Sequence, residues 1–192
     1  LMEQVRPRVV LHTAALNPGQ GADFEGVNAV GTHHVAHAAA RVGARLIHLS
    51  TDVLFDGRLG GYVEADAPSP ITPYGRSKAR AEQAVLGSGA QAVIVRTSLI
   101  YGWRPTVARA AQWMIDALQA GQPVRLYTNE IRCPIWVESL AEALVELAEI
   151  GYTGVLHVAG PQPLSRYDFG VRLLRFLGVD PAPLIPARSP HH

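Results

Sequence analysis

The sequence predicts an α/β fold: a doubly wound parallel sheet, incomplete at its N-terminal end, with a small C-terminal substrate lobe. Three observations carry this expectation. Short runs rich in Val, Ile and Leu alternate with longer segments of helical period, the pattern of a sheet covered by helices. The runs show little polar alternation, as strands buried on both faces do. With 192 residues, 48% of them hydrophobic, the chain is long enough to bury one globular core with a small lobe attached.

In chain order, strands are expected over 8–15, 45–50, 92–97, 124–127 and 155–158. Between the first two, Val27, Val30, His34, Val35 and Ala38 fall on one helical stripe, and Gly43 ends that helix. A helix over 76–86 follows Pro70 and Pro73. Helices over 107–120 and 137–150 stop at Gly121 and Gly151. The last, over 165–177, opens on Ser165 as its cap and stops at Gly178. The proline-rich tail over 181–192 is expected to be extended or loose. The core, lacking its first βαβ portion, is assigned to 1–120, and 121–192 is read as mainly the substrate-binding lobe.

The opening of the chain departs from the usual plan. A doubly wound domain begins with a strand, a glycine-rich turn and a helix that receives a pyrophosphate. Gly19, Gly21 and Gly26 follow the first strand, but their spacing does not make such a turn. About the first quarter of the natural protein is therefore expected to lie outside this chain.

Composition excludes several classes of partner. The net charge is +1, from 17 basic and 16 acidic residues, and no Lys/Arg run marks a nucleic-acid or anionic-membrane surface. No apolar stretch approaches the roughly 20 residues of a spanning helix, and Glu3, Arg6 and Arg8 interrupt any leader-like core. Cys133 stands alone, so the chain forms no internal disulfide, and a reduced cytoplasmic setting is expected. Lys78 is the only lysine among those 17 basic residues. A compact ammonium kept at one place in an arginine-biased chain points to a site that a guanidinium fork would not serve.

Three segments gather around it. Ser50-Thr51-Asp52 ends one expected strand, Tyr74-Gly75-Arg76-Ser77-Lys78 begins a helix, and Arg96-Thr97-Ser98 ends the next strand. Tyr74 and Lys78, four residues apart, share a helix face. A cation near a phenol favours the phenolate and draws its titration from about 10 toward working pH, where proton transfer is most effective. Thr51 ends a parallel strand, where open α/β sheets place ligands, and its hydroxyl suits the oxygen that Tyr74 would protonate. Tyr-x-x-x-Lys alone occurs by chance in many helices; the two strand ends and the solitary lysine give it weight.

Taken together, these segments resemble the extended short-chain dehydrogenase/reductase family, which has a Rossmann-like core, and within it the dTDP-4-dehydrorhamnose reductases. His12-Thr13-Ala14-Ala15 is similar to the family's Asn-Ala-Ala-Ala segment, Val27-Asn28 with Gly31-Thr32 to its Val-Asn-x-x-Gly-Thr helix start, and Ser50 to Gly57 to its Ser-Thr-Asp-Tyr-Val-Phe-Asp-Gly stretch. The resemblance implies hydride transfer from NADP or NAD to a nucleotide-linked 4-keto-6-deoxysugar. It implies Thr51, Tyr74 and Lys78 as catalytic residues and Ala14, Ala15, Ser50, Tyr74, Lys78 and Ser98 against the cofactor. Asn17, Val53, Leu99 and Arg132 would meet the substrate, Arg132 as a diphosphate contact. A homodimer is compatible with this reading.

Departures and alternatives bear on the substrate. Val53 stands where the reductases usually carry Tyr, and Leu99 where Trp is common. Nucleotide-sugar dehydratases of the same fold place Asp-Glu after the Thr; here Asp52 is followed by Val53, which counts against water elimination. An epimerase of the same family is one alternative. A non-catalytic, cofactor-binding subunit such as the one associated with methionine adenosyltransferase is another. His33, His34 and His37 share a helix face without a carboxylate or thiol to complete a metal site, so no metal is expected. Cys133 is read as a structural thiol, and Trp113, inside a helical pattern, as a packing residue; Trp103 and Trp136 are candidates for stacking on a base.

Overall fold

The computed structural model describes residues 1–102 and 109–190, the side chains of 109–111 excepted. The elements run α1 (Met2–Val5), β1 (Val9–His12), a π-helical turn (Glu25–Val30), α2 (Gly31–Val42), β2 (Arg45–Thr51), a 3-10 turn (Asp52–Leu54), α3 (Pro73–Leu86), β3 (Ala92–Thr97) and β4 (Ile100–Tyr101). They continue with α4 (Arg109–Gln119), β5 (Val124–Tyr127), β6 (Ile131–Arg132), β7 (Ile135–Trp136), α5 (Val137–Glu149), β8 (Gly154–Val158), β9 (Leu164–Ser165), α6 (Arg166–Phe176) and β10 (Leu184–Ala187). The expected start of a helix at 107, and Trp103, lie outside the described residues. Among those residues no helix is long and apolar enough to cross a membrane.

The chain forms two compact units, Leu1–Thr97 with Ala141–Val158, and Ser98–Leu140 with Ala159–His192. In the first, β1-β2-β3-β8 make a four-stranded parallel sheet. Because β8 pairs with β3, it belongs to this core and not to a C-terminal lobe spanning 121–192. Leu46 and Ile94 pack with Ala36 and Ala39 of α2 and Val85 of α3, so both helices cover one face. Successive residues of a strand point to opposite faces. Arg45 therefore leaves by the other face, where its Nε donates to the Leu147 carbonyl at 3.0 Å and brings α5 onto the sheet.

Several elements differ from the sequence expectation for physical reasons. The first strand stops at His12 and not at Ala15, because Asn28 takes both backbone groups of Leu16: its Oδ1 accepts from the amide at 2.7 Å and its Nδ2 donates to the carbonyl at 3.0 Å. The same residue sets the face of the helical segment after it. Asn28, Ala29, Thr32, Ala36 and Ala39 are buried, whereas Val27 and Val30 of the expected stripe are each 46% exposed. The α3 helix starts three residues before the expected Arg76, since the Thr72 side chain accepts from the Gly75 amide at 3.0 Å and Pro73 fits the first turn.

The second unit holds three two-stranded ladders, β5 with β10 and β4 with β7, both parallel, and β6 with β9, antiparallel. Its core joins Met114, Val124, Leu126, Leu174 and Leu184. Ser165 caps α6 as expected, accepting from the Asp168 amide at 2.9 Å. The tail is not loose throughout: Leu184 to Ala187 line up with Val124 to Tyr127 and complete a ladder, with Pro186 tolerated at an edge. Trp113, expected to pack, is 43% exposed, and its neighbour Met114 takes the buried position.

Candidate active site at the end of the second strand

The site is built where α3 meets the C-terminal end of β2. Lys78 is buried at 2% exposure, and its Nζ donates to the Leu49 carbonyl at 2.8 Å. It also lies 3.5 Å from His48 Nε2. Desolvation brings its pKa down from 10.5 to about 8, against the opposing pull of Glu82, which favours the charged form. Glu82 is itself buried and held by Arg96, whose Nε and Nη2 donate to the carboxylate at 3.0 and 2.8 Å.

Tyr74 is half-buried one turn ahead of Lys78 on α3, its ring edge-on to Phe24 at 6.0 Å between centroids. Thr51 is buried at the end of β2; its Oγ1 accepts from the Val53 amide at 3.2 Å and donates to Asp52 Oδ1 at 3.4 Å. The Val53 carbonyl abuts Gly75 so closely that a Cβ there would collide with it. Thus α3 touches this strand end twice, through Gly75 beside Tyr74 and through Lys78. These contacts bring Thr51, Val53, Tyr74 and Lys78 into one neighbourhood.

Ser50 is buried on the same strand, and its hydroxyl, like that of Thr97 on β3, finds no partner among the described residues. Ala14 and Asn17 are exposed and Ala15 half-buried in the loop after β1; the Asn17 amide donates to Gln20 Oε1 at 3.0 Å. That loop is anchored to the helix carrying Tyr74. Asn28 Nδ2 donates to Ser77 Oγ at 3.0 Å, and Ser77 Oγ donates to the Tyr74 carbonyl at 2.8 Å.

Ser98, Leu99 and Arg132 belong to the second unit. Ser98 Oγ accepts from the Cys133 amide at 3.0 Å, and the Leu99 carbonyl accepts from the Ile135 amide at 2.9 Å. Within this unit a cavity of about 780 Å³ is lined by Tyr101, Trp136, Phe169, Arg172 and Phe176 among others, a set to which Arg132, on β6, does not belong. The Tyr101 ring stands edge-on to Trp136 at 5.5 Å and to Phe169 at 5.2 Å. Among the described residues no group of three or more His, Cys, Asp or Glu side chains is placed to hold a metal; the His33 and His37 rings on α2 lie 4.0 Å apart between centroids, tilted by 37°.

Sequence reasoning missed Asn28 as a clamp, Gly75 as a close-approach point, and His48, Arg172 and Phe169. Of these, Asn28 had a signal, as part of the Val-Asn-x-x-Gly-Thr helix start.

Comparison with known proteins shows what the whole chain is similar to. A family model, the RmlD substrate binding domain, matches residues 1–191. The dTDP-4-dehydrorhamnose reductase of Mycobacterium tuberculosis is 38% identical over 94% of this chain and 63% of its own length. A dTDP-4-keto-6-deoxy-D-glucose reductase of Streptomyces niveus is 32% identical over 98% of this chain and 67% of its own. The crystal structure of dTDP-4-dehydrorhamnose reductase from Bacillus anthracis in complex with NADP superposes with a TM-score of 0.87 at 28% identity, over 98% of this chain and 69% of that one. The chain thus spans less than two thirds of the mycobacterial relative's length. On the match over 1–191, the chain belongs to the RmlD substrate binding domain family.

Proposed function

We propose that this chain carries the catalytic groups of a reductase that transfers hydride from NADPH or NADH to the 4-keto group of a nucleotide-linked 6-deoxysugar. One observation carries the reading: a single helix presents Tyr74 and a buried Lys78 ammonium at the strand end that bears Thr51. The names of the mycobacterial and Streptomyces relatives, and the NADP in the Bacillus structure, support the same substrate class and cofactor.

The residues present fit a nicotinamide ribose and its surroundings. Lys78 offers a cation, and the buried hydroxyl of Ser50 has no partner among the described residues. A bound nicotinamide cofactor supplies the hydride; the protein's part is to orient the carbonyl and deliver a proton. Tyr74 Oη donates that proton to the carbonyl oxygen. Lys78 stabilises the phenolate left behind, and Thr51 Oγ1 orients the same oxygen by a hydrogen bond. The cavity of the second unit, taken by itself, has Trp136 and Tyr101 rings and the Arg172 guanidinium in its lining, chemistry that suits an aromatic ring and an anion. The reading also carries a cytoplasmic location and a homodimer, checked by fractionation and sedimentation.

The test is NADPH or NADH consumption with a dTDP-4-keto-6-deoxysugar by the purified full protein. Substrate-dependent oxidation is expected. A protein that binds the cofactor and leaves every nucleotide 4-keto sugar unreduced contradicts the proposal.

A further inference from the structure

His12 and His48 continue from Lys78 in one line of ring and amine nitrogens, and the proposed reaction leaves the two rings unused. The parallel register of β1 and β2 pairs His12 with His48, and their Nδ1 atoms lie 3.1 Å apart. His48 is fully buried, with its other nitrogen 3.5 Å from Lys78 Nζ, while His12 is half-buried at the end of its strand.

Two facing Nδ1 atoms at that distance share one proton, so the protonation of each ring fixes that of the next. With Lys78 as an ammonium, it donates to His48 Nε2. His48 then carries its proton on Nδ1 and donates to His12 Nδ1, and His12 keeps its proton on Nε2. With Lys78 as a free amine, every bond reverses.

Burial first, then the charge of Lys78, holds His12 below the usual imidazole range and His48 well below it, so both rings stay neutral. Glu82, one turn beyond Lys78 and paired with Arg96 of β3, is the remaining charged group that acts on the ammonium.

We infer that His48 and His12 are a proton wire that reloads Lys78 from the half-buried end of the line. The transfer balances without electrons. Water gives a proton to His12 Nε2 and leaves as hydroxide to the solvent, His12 Nδ1–H passes to His48 Nδ1, and His48 Nε2–H passes to the Lys78 amine, which ends as an ammonium. The use of the wire in turnover rests on the reductase reading: each reduction takes one proton from Tyr74, the Lys78 ammonium returns a proton to the phenolate, and the resulting amine is what the wire reloads. Neither histidine touches the reacting atoms; both act through Lys78.

The test is ring-nitrogen NMR of histidine-labelled protein, followed alongside the signal of the chain's single lysine. Both rings should remain neutral and exchange tautomers together, with the midpoint of the lysine titration. In His48→Gln the His12 tautomer should cease to follow Lys78. Tautomers that stay fixed while Lys78 titrates overturn the inference.

If His48→Gln does not fold, His12→Ala supplies the second arm. Its turnover should fall by about tenfold or more and be restored by added imidazole. A loss that imidazole does not restore overturns the wire. Absence of turnover in the unsubstituted protein refutes the reductase reading alone, and the tautomer experiment still decides the wire.

Discussion

The ammonium of Lys78 donates to the carbonyl of Leu49 at 2.8 Å, which fixes α3 to the strand two residues before Thr51. Holding a charge there costs stability. Burial sets the Lys78 pKa at about 8 against 10.5 in the open chain, so between these values the unfolded protein binds more protons. Stability should therefore rise with pH from about 8 to 10.5 and be lost again as pH falls through about 8. The shift corresponds to about 3 kcal/mol. Urea midpoints across that range should show the slope in the unsubstituted protein and not in Lys78→Met.

Tyr74→Phe keeps the ring against Phe24 and removes the proton donor. Turnover should fall by about a thousandfold, the scale of a positioned acid, while the Kd for NADPH changes little. Fluorescence titration and steady-state rates check both halves. Unchanged turnover ends the assignment of Tyr74 as the proton donor.

Gly75→Ala places a methyl group against the Val53 carbonyl. The helix start must move away from the strand end, and a displacement of about 1 Å at reacting groups costs on the order of a hundredfold in rate. We expect kcat to drop with the fold intact, as seen by circular dichroism. Full activity in Gly75→Ala would show that the close approach does not position Tyr74.

Asn28→Ala removes three hydrogen bonds, two to Leu16 and one to Ser77, and leaves the Leu16 groups without those partners. The expected loss is about 3 kcal/mol, read from chemical denaturation. Hydrogen exchange at the Leu16 amide should quicken beyond the global change. A loss below about 1 kcal/mol contradicts the clamp.

Much of the core was legible because β3 is buried on both faces, so that the apolar run at 92–97 is the strand itself; the run at 124–127 is β5, although Arg125 and Tyr127 on it are exposed and only Val124 and Leu126 are buried. The spacing of Tyr74 and Lys78 placed them on one helix face without any knowledge of tertiary structure. What escaped was long-range. The facing of α2 is decided by Asn28, whose partners Leu16 and Ser77 lie 12 and 49 residues away in the chain. A valine stripe pointed the wrong way because hydrophobic periodicity cannot register a buried amide. His48 carried no signal of its own inside the expected strand over 45–50, since only the pairing of β1 with β2 sets it beside His12. The tail strand β10 was hidden because its partner β5 is about 60 residues away and its own sequence is rich in proline.

The most direct test of the reductase account is transfer of label from NADPH deuterated at the reactive carbon of its nicotinamide to a dTDP-4-keto-6-deoxysugar, read by mass spectrometry of the sugar product. The account predicts one deuterium in the product for each cofactor oxidised, with the transfer abolished in Tyr74→Phe. A product free of deuterium, or sugar converted with no net consumption of cofactor, would contradict it.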